Sequence, residues 1–297
     1  MKKASGFKVT ALITAVIMAV SMIFSACSLN EGPHPLEKYK NDPSRMASTI
    51  RDGLKSYSSS ITITYRAQDG SLDELSALVK DWIELALSET DDPAEGDYIR
   101  FQYGGYELNT KCVREGREYV YTAEIIPKYY GYLSWEERVS QKLPAIMESL
   151  GFDENTSDEE KIRAIYDYLC ENVYYDKVHL KNEHNDVNST AYGALVLGSA
   201  TCHGYAAALY RMLRTAGIDA RIVSGMAGEE GSTEYHVWNI VKLDGVWYNV
   251  DATWDSKEDI YGWFMKSDEE FPGHEREERF RSAEFIKEHP MARESLQ

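Results

Sequence analysis

The sequence predicts an α+β protein, because it contains both stretches with helical spacing and stretches with the alternation of antiparallel strands. Apolar residues recur at helical spacing in the segment that begins at Ser71, and again after Cys202. Apolar and polar residues alternate around Tyr121, which is typical of an antiparallel strand. The pair Asp244 and Gly245 interrupts a later apolar run and is a strong signal for a two-residue β-hairpin. With 297 residues, 43% of them hydrophobic, the chain can bury one large core or two smaller ones.

The first 26 residues have the pattern of an export signal. Three lysines precede an apolar run from Val9 to Phe24, which is short for a membrane-spanning helix. The following FSAC resembles the bacterial lipobox, in which the cysteine, here Cys27, is lipidated and becomes the mature N-terminus. We therefore expect an exported protein anchored through Cys27 to the outer face of the bacterial cell membrane, with residues 27–44 as a polar tether. An ordinary secretory signal is the alternative.

The chain is strongly acidic. Removal of residues 1–26, which carry three lysines and no acidic residue, changes the formal net charge from −17 to −20. This charge repels phosphate backbones and anionic lipid headgroups, so no nucleic-acid partner is expected, and membrane contact is expected through the lipid anchor only. Cationic or amine-bearing partners are favoured, although solubility is the simpler explanation of the charge.

Residues 45–151 are expected to form a small α+β domain whose role the sequence does not indicate. The stretch ITITY has the composition of a strand, and Ile99, Phe101 and Tyr103 alternate with polar residues, which predicts another. Seven tyrosines lie between positions 103 and 132. They could line a groove for peptide or sugar, although such residues more often form the half-buried face of a sheet.

Capping boxes, in which a serine is followed three residues later by a glutamate, predict the starts of helices. The pairs are Ser71 with Glu74, Ser134 with Glu137, and Ser157 with Glu160. Pro144 lies inside the second segment and is expected to kink or divide that helix. Cys170 lies beside the apolar face of the third helix, which favours a buried structural thiol.

Cysteine usage singles out Cys202. The exported part keeps Cys112, Cys170 and Cys202, an odd number without C-x-x-C spacing, which fits neither a disulfide framework nor a zinc site. Cys112 and Cys170 could pair with each other, and the sequence does not decide this. Cys202 falls at the start of a predicted helix that ends at Gly217. Unpaired N–H groups and the helix dipole at such a position favour a thiolate, and the same groups could hold an oxyanion.

A base for this thiol is predicted in the hairpin EYHVWNIVKLDGVWYNVDATWD. With a two-residue loop, the numbers of paired residues sum to 489, which makes His236 and Asp251 diagonal neighbours on one face. The same face carries Trp238, Trp247 and Asn249. A carboxylate in that place can hold the imidazole in the tautomer that accepts a proton. His203 is next to Cys202, but neighbouring helix residues point about 100° apart, so it is not expected to act as the base.

These segments resemble the core of the transglutaminase-like superfamily from about Ile162 to Asp268. The motifs Cys-x-Gly-Tyr-Ala, His-x-Trp-Asn and Asp-x-Thr-Trp occur together and in order, and YGWFMKSD follows them. The resemblance implies a papain-like α+β core over residues 152–290, with the cysteine helix packed on an antiparallel sheet.

The resemblance also implies that Cys202 is the nucleophile, His236 the base and Asp251 its orienting partner. Attack of the thiolate on an amide carbonyl gives an acyl-thioester, and the acceptor decides the product. Water gives a peptidase or amidase, and a lysine-type amine gives a crosslinking enzyme. Bacterial surface relatives look more like peptidases or cell-wall amidases, so we expect hydrolysis of a peptide, protein or cell-wall peptide. A surface protein that binds peptide or glycan without turnover is the alternative from another class.

Three further features bear on the expected site. No cofactor is expected, and because the sequence contains no calcium loop of the D-x-[DN]-x-[DN]-G form, no metal requirement is expected either. The second oxyanion donor is open, with Tyr175 as one candidate. His203 stands where many relatives have glutamine, which leaves the substrate preference open. The sequence does not indicate an oligomeric state.

Overall fold

Buried apolar side chains gather into two clusters, one from the N-terminal part of the chain and a larger one from the remainder. The computed structural model describes residues 42–68, 70–177, 186–229, 232–256 and 262–296. The predicted export signal, Cys27 and most of the predicted tether lie outside the described residues. No helix in the described part of the chain has the length and apolar character needed to cross a membrane.

An antiparallel sheet covered by helices forms the first cluster. Strands β1 (Ile61–Ala67), β3 (Glu118–Tyr129) and β2 (Tyr103–Glu115) lie side by side in that order. Side chains of β1 are alternately buried and exposed, as expected of a sheet with one face on a core. Helices α1 (Pro43–Lys55) and α2 (Leu72–Ala86) contribute their apolar faces to the same cluster. The strand predicted from ITITY is therefore confirmed.

The predicted strand through Ile99 and Phe101 is wrong. Ile99 lies in the short helix α3 (Asp97–Arg100), and β2 begins only at Tyr103. The physical reason is that consecutive side chains here reach different cores, because Tyr98 and Phe101 pack in the second cluster and Ile99 packs in the first. In a helical turn successive side chains point in different directions, so neighbouring residues can pack in different clusters.

Helix α4 (Leu133–Ser149) begins earlier than its predicted capping box requires. Tyr132 is the N-cap, and no side chain of the described residues caps the first turn, so the predicted box of Ser134 and Glu137 is wrong. Pro144 lies inside the helix without dividing it. The buried residues of α4 pack in the second cluster: Val139, Leu143 and Ile146. The helix that precedes the predicted boundary at residue 151 thus contributes to the second core.

Helix α5 (Asp158–Asn172) has the predicted capping box. The hydroxyl of Ser157 accepts a hydrogen bond from the amide of Glu160, whose carboxylate accepts one from the amide of Ser157. The thiol of Cys170 lies 3.7 Å from the carbonyl oxygen of Ala252, and burial raises its pKa well above the ordinary value. Cys170 is half-buried and packs against the second cluster, as a structural thiol does. The described cysteines form no disulfide with one another.

The second cluster is built around helix α6 (Cys202–Thr215). Strands β8 (Val246–Val250), β7 (Ser232–Leu243), β6 (Ala220–Glu229) and β9 (His274–Arg276) form an antiparallel sheet in that order. The helix packs on this sheet and is buried along most of its length, so it is a core helix. A helix that begins with the cysteine and packs on an antiparallel sheet is the predicted architecture, which confirms the α+β fold class.

Short elements connect these parts. Strands β4 (Tyr174–Tyr175) and β5 (Ser199–Ala200) pair in parallel and bring Tyr175 beside the start of α6. The remaining elements are a 3-10 turn at Asp186–Ser189, a π-helical turn at Gly193–Leu197, α7 (Ala252–Asp255), a 3-10 turn at Glu278–Phe280 and α8 (Ala283–Glu288).

The hairpin of β7 and β8 has the predicted register. Its pairs run from Leu243 with Val246 to Asn239 with Val250, and each pair sums to 489. Asp244 has φ of 51° and Gly245 has φ of 86°, the two positive values that a type I′ turn requires. This register places His236 and Asp251 on the same side of the sheet.

Candidate active site

Cys202 is the first residue of α6, as the sequence predicts. The N-cap residue Thr201 gives no side-chain hydrogen bond to the helix in the described part of the chain, and its hydroxyl lies 3.2 Å from the carbonyl oxygen of Asn188 instead. The first N–H groups of a helix have no intrahelical acceptor, and Cys202 lies at the end of α6 where these groups are found. The thiol is half-buried, which leaves it within reach of a substrate.

Asp251 orients His236 through a short hydrogen bond. Nε2 of His236 donates to Oδ2 of Asp251 at 2.7 Å. Oδ1 of Asp251 accepts from the amides of Thr253 at 2.9 Å and Trp254 at 3.3 Å, because Asp251 is the N-cap of α7. Burial opposes ionisation, but the charge and hydrogen bond of His236, with a contribution from His274, hold the pKa of Asp251 well below its usual range. The carboxylate is therefore charged and fixed at both oxygens.

The other side of the His236 ring meets Cys202. Burial alone would lower the pKa of His236, but the charge and hydrogen bond of Asp251, together with a hydrogen bond and charge from Cys202, raise it to about 10. Since Nε2 is bonded to Asp251, Nδ1 is the nitrogen left for the sulfur. His236 is consequently an imidazolium at neutral pH, held between a thiol and a carboxylate.

A second imidazole, which the sequence analysis missed, shares the same carboxylate oxygen. Nε2 of His274 lies 3.2 Å from Oδ2 of Asp251, and its Nδ1 lies 3.2 Å from the carbonyl oxygen of Pro272. The His274 side chain is fully buried. Aromatic rings surround it at centroid distances of 4.0 Å for Phe271 and 4.2 Å for Trp254.

Both partners of His274 are hydrogen-bond acceptors. A backbone carbonyl and an ionised carboxylate can only accept, so both contacts are satisfied together when each ring nitrogen carries a proton. The contact with Oδ2 of Asp251 in particular requires a proton on Nε2 of His274.

Among the described residues, His236, Asp251 and His274 form a group that could also hold a metal ion. One ligand atom from each lies within 4.8 Å of the others. Oδ2 of Asp251, however, already accepts from both imidazoles, so the described hydrogen bonds account for these atoms. The absence of a metal requirement stays a prediction.

Polar contacts behind the site fix the helix and the hairpin relative to each other. Nδ2 of Asn239 on β7 donates to the carbonyl oxygens of Ala206 on α6 at 3.1 Å and Arg221 on β6 at 3.2 Å. The indole N–H of Trp238 is directed at Oδ1 of Asn249 at 3.4 Å, and the Trp238 ring stacks beside His236. These bonds position the strand that carries the imidazole against the helix that carries the thiol.

Aromatic and acidic residues lie near the thiol. Burial raises the pKa of Tyr175, and the charges of Cys202 and Glu234 raise it further. The Tyr175 hydroxyl therefore stays protonated near the sulfur. The His203 ring lies against Phe101, at 5.5 Å between centroids, and burial with the charge of His236 lowers its pKa to about 4. His203 is therefore neutral at physiological pH and packed away from a basic role.

The match to a family model decides the classification of this region. The model of the transglutaminase-like superfamily matches residues 149–252, a range that contains Cys202, His236 and Asp251. The chain contains a transglutaminase-like domain. Kyphoscoliosis peptidase of Mus musculus is 35% identical to the chain over 108 residues, and that of Homo sapiens is 33% identical over 108 residues.

Each of these matches covers 34% of the chain and 16% of the relative, so the chain spans about a sixth of the length of the curated relatives it matches. A crystal structure of a TGase shares 16% identity and a TM-score of 0.33, covering 50% of this chain and 45% of that one. The activity, substrates and partners of the whole protein therefore do not follow from these curated relatives.

The structure brings together the three residues singled out in the sequence, Cys202, His236 and Asp251. His274 lies beyond residue 252, where the match to the transglutaminase-like model ends, so the family motifs carry no signal for it. Tyr175 is brought close to the sulfur, as one candidate for the open oxyanion position.

Proposed function

We propose that the protein is a thiol acyl-transfer enzyme that hydrolyses amide bonds in peptides at the cell surface. The observation that carries the proposal is the hydrogen-bonded series from Cys202 through His236 to Asp251, with 2.7 Å between the imidazole and the carboxylate. A buried carboxylate that holds an imidazolium beside a thiol is the arrangement that activates a sulfur nucleophile.

The first half of the reaction acylates the sulfur. Sγ of Cys202 attacks the amide carbonyl carbon, an S–C bond forms, and the carbonyl electrons move to oxygen. The N–H groups at the start of α6 and the hydroxyl of Tyr175 are the donors proposed for this oxyanion. Nδ1 of His236 gives its proton to the departing nitrogen, the C–N bond breaks, and an amine leaves with an acyl-thioester behind it.

The second half releases the acid. His236, now neutral, takes a proton from water, and the resulting hydroxide oxygen attacks the thioester carbon. The C–S bond breaks, the carboxylic acid departs, and the sulfur leaves as the thiolate beside the reprotonated imidazole. Asp251 keeps its hydrogen bond to Nε2 throughout, so the ring retains its orientation.

Charge and resemblance support a peptide substrate with basic groups. Glu234 lies near enough to Tyr175 to influence its pKa, and the whole chain carries a net charge of −17, both of which attract cationic or amine-bearing groups. The curated relatives carry the name peptidase, which supports water as the acceptor. The proposed location at the outer face of the cell membrane rests on the sequence pattern that ends at Cys27.

One experiment distinguishes the outcomes. The purified protein and its Cys202→Ala variant are incubated with peptides and cell-wall fragments, with and without added amines. The products are identified from their masses by mass spectrometry. Products whose masses show that water was added across an amide bond support the proposal if they form with the wild type and not with Cys202→Ala. Incorporation of the amine would make the protein a crosslinking enzyme, and Cys202-independent or absent turnover across the panel would reject amide hydrolysis. A parallel reaction with EDTA tests the predicted independence from metal.

Location has a separate test. Cells that express the protein are labelled with radioactive palmitate, and the wild type is compared with Cys27→Ser. Label on the wild type alone supports the lipid anchor, while label on neither protein contradicts it. Neither result depends on the chemistry at Cys202.

A further inference from the structure

A cavity of about 250 Å³ lies between the two hydrophobic clusters. Its walls come from the end of α1, the segment around α3, the start of α4 and the distal half of α6. Arg211 of α6 is nine residues beyond Cys202, which is about 14 Å along a helix axis. The cavity is therefore separate from the candidate active site, although both use the same helix.

Tyrosine rings supply much of the cavity wall. The rings are those of Tyr57, Tyr98, Tyr103 and Tyr129. The hydroxyl of Tyr57 donates to Oε1 of Gln102 at 2.5 Å, and that of Tyr98 donates to Oε1 of Glu136 at 2.6 Å. Because these hydroxyls already donate to side chains of the protein, the two rings are available as apolar surface.

Arg211 is a nearly buried cation that lines this cavity. The residue is 9% exposed, and its Nε and Nη1 are buried without a hydrogen-bond partner among the described residues. Its guanidinium lies 5.0 Å from the centroid of the Tyr98 ring, a cation–π contact that satisfies no N–H group. By contrast, Arg221 makes two hydrogen bonds to Asp97, at 2.7 Å and 3.1 Å.

The carboxyl group of Glu136 in the same cavity does not satisfy this requirement. Burial raises the pKa of Glu136 above its ordinary value, outweighing the hydrogen bonds from Tyr98 and Gln102 and the charge of Arg211. A buried cation is costly when its charge is poorly compensated, and an anion in the cavity would offset that cost through the charge of the guanidinium, since Nε and Nη1 are themselves closed off from the cavity. The charge of Arg211 also contributes to lowering the pKa of Asp92, so the guanidinium has two acidic neighbours, and the structure gives neither of them a hydrogen bond to Nε or Nη1.

We propose that this cavity binds a small organic carboxylate with an apolar body, whose carboxylate pairs with Arg211 while the body lies among the tyrosine rings. The guanidinium is suited to a charge-assisted bond with a carboxylate, and the rings are suited to an apolar or aromatic side group. The same chemistry is presented by a free acid and by the C-terminus of a peptide. This binding site is independent of the reaction proposed for Cys202.

Matched acids and amides test the proposal on the full protein. N-acetylphenylalanine is compared with its carboxamide, and a short peptide that ends in phenylalanine with a free carboxylate is compared with the same peptide amidated. Binding is measured by isothermal titration calorimetry and by the shift in Tm. At least one acid is expected to bind ten-fold or more tightly than its amide. The pair that shows this difference indicates whether the site takes a free acid or the C-terminus of a peptide. Equal affinity of acid and amide, or no binding by any of the four probes, would overturn the proposal.

Variants locate the binding. In Arg211→Gln the preference for the acid is expected to disappear, whereas in Arg214→Gln it is expected to remain, because Arg214 on the same helix already bonds to Asp219 at 2.6 Å. Cys202 is expected to react with iodoacetamide at the wild-type rate in both variants, so failure here is distinguishable from failure of the proposed function. An acid preference that persists in Arg211→Gln would contradict the assignment. The ligand-free Tm of Arg211→Met should be no lower than that of the wild type, and a clear fall would show that Arg211 is structural.

Discussion

The side-chain amide of Asn239 donates a hydrogen bond to the carbonyl oxygen of Ala206, and this contact ties strand β7 to helix α6. The strand carries His236 three residues before Asn239, and the helix carries Cys202 four residues before Ala206. The same amide donates to the carbonyl oxygen of Arg221, so one buried side chain links the helix to two strands. The distance between imidazole and thiol therefore depends on a residue that touches neither.

Replacement of Asn239 by alanine is expected to loosen both the fold and the site. Loss of these buried hydrogen bonds costs about 1–3 kcal/mol of unfolding free energy. The rate at which Cys202 reacts with iodoacetamide should fall about 10- to 100-fold as the ring moves from the sulfur. Urea titration and mass spectrometry measure the two effects, with Asn109→Ala as a control because Asn109 makes an exposed contact with Glu124. Lower stability with an unchanged reaction rate would show that Asn239 does not position the site.

His274 is expected to act as a positioning residue for Asp251. His274→Phe fills the aromatic cage but removes the donor to Oδ2, and it should lower kcat about ten-fold with KM nearly unchanged. His274→Gln keeps a donor and should recover most of that loss. Equal kcat values in the two variants would indicate that His274 only fills space.

Stability should depend on pH through His236. Its pKa is raised from about 6.5 in the unfolded chain to about 10 in the folded protein, so the folded state holds the proton more tightly. This stabilisation is complete below pH 6.5 and is lost as the pH rises toward 10. Urea unfolding of the wild type and His236→Gln between pH 6 and pH 10 measures the difference, which should shrink at high pH. A difference that grows with pH would contradict the protonated ring.

A buried ion pair joins the two clusters and should matter more than ion pairs on the surface. Asp97 is 1% exposed, and its carboxylate accepts from Arg221 and from the amide of Ile222. Asp97→Ala leaves the guanidinium without this partner and should cost about 3–5 kcal/mol. Glu115→Ala breaks an exposed pair with Arg66 and should cost less than about 1 kcal/mol. Similar losses in both variants would show that burial of the pair is unimportant.

Local signals in the sequence predicted the parts of the fold that local interactions determine. The turn at Asp244 and Gly245 fixed the hairpin register, which in turn placed His236 and Asp251 on one face. The capping boxes at Ser71 and Ser157 likewise depend on residues three positions apart. Such features are visible in a single sequence because both partners lie within a few residues.

Features that depend on distant contacts were not predictable in this way. His274 reaches Asp251 across 23 residues, from the three-residue strand β9, which is too short to show alternation. Ile99 followed a strand-like pattern, yet the neighbouring Tyr98 packs on another core and the segment is helical. At Ser134 the capping pattern is present, but the helix begins at Leu133.

The most direct test of the account is the rate at which iodoacetamide labels each cysteine at pH 6, followed by mass spectrometry. If Cys202 is paired with the imidazolium of His236, it should be labelled more than about ten times faster than Cys112 or Cys170. That advantage should be lost in His236→Ala while the other two rates stay constant. Comparable labelling of all three cysteines, or an unchanged Cys202 rate in His236→Ala, would contradict the assignment of Cys202 as an activated nucleophile.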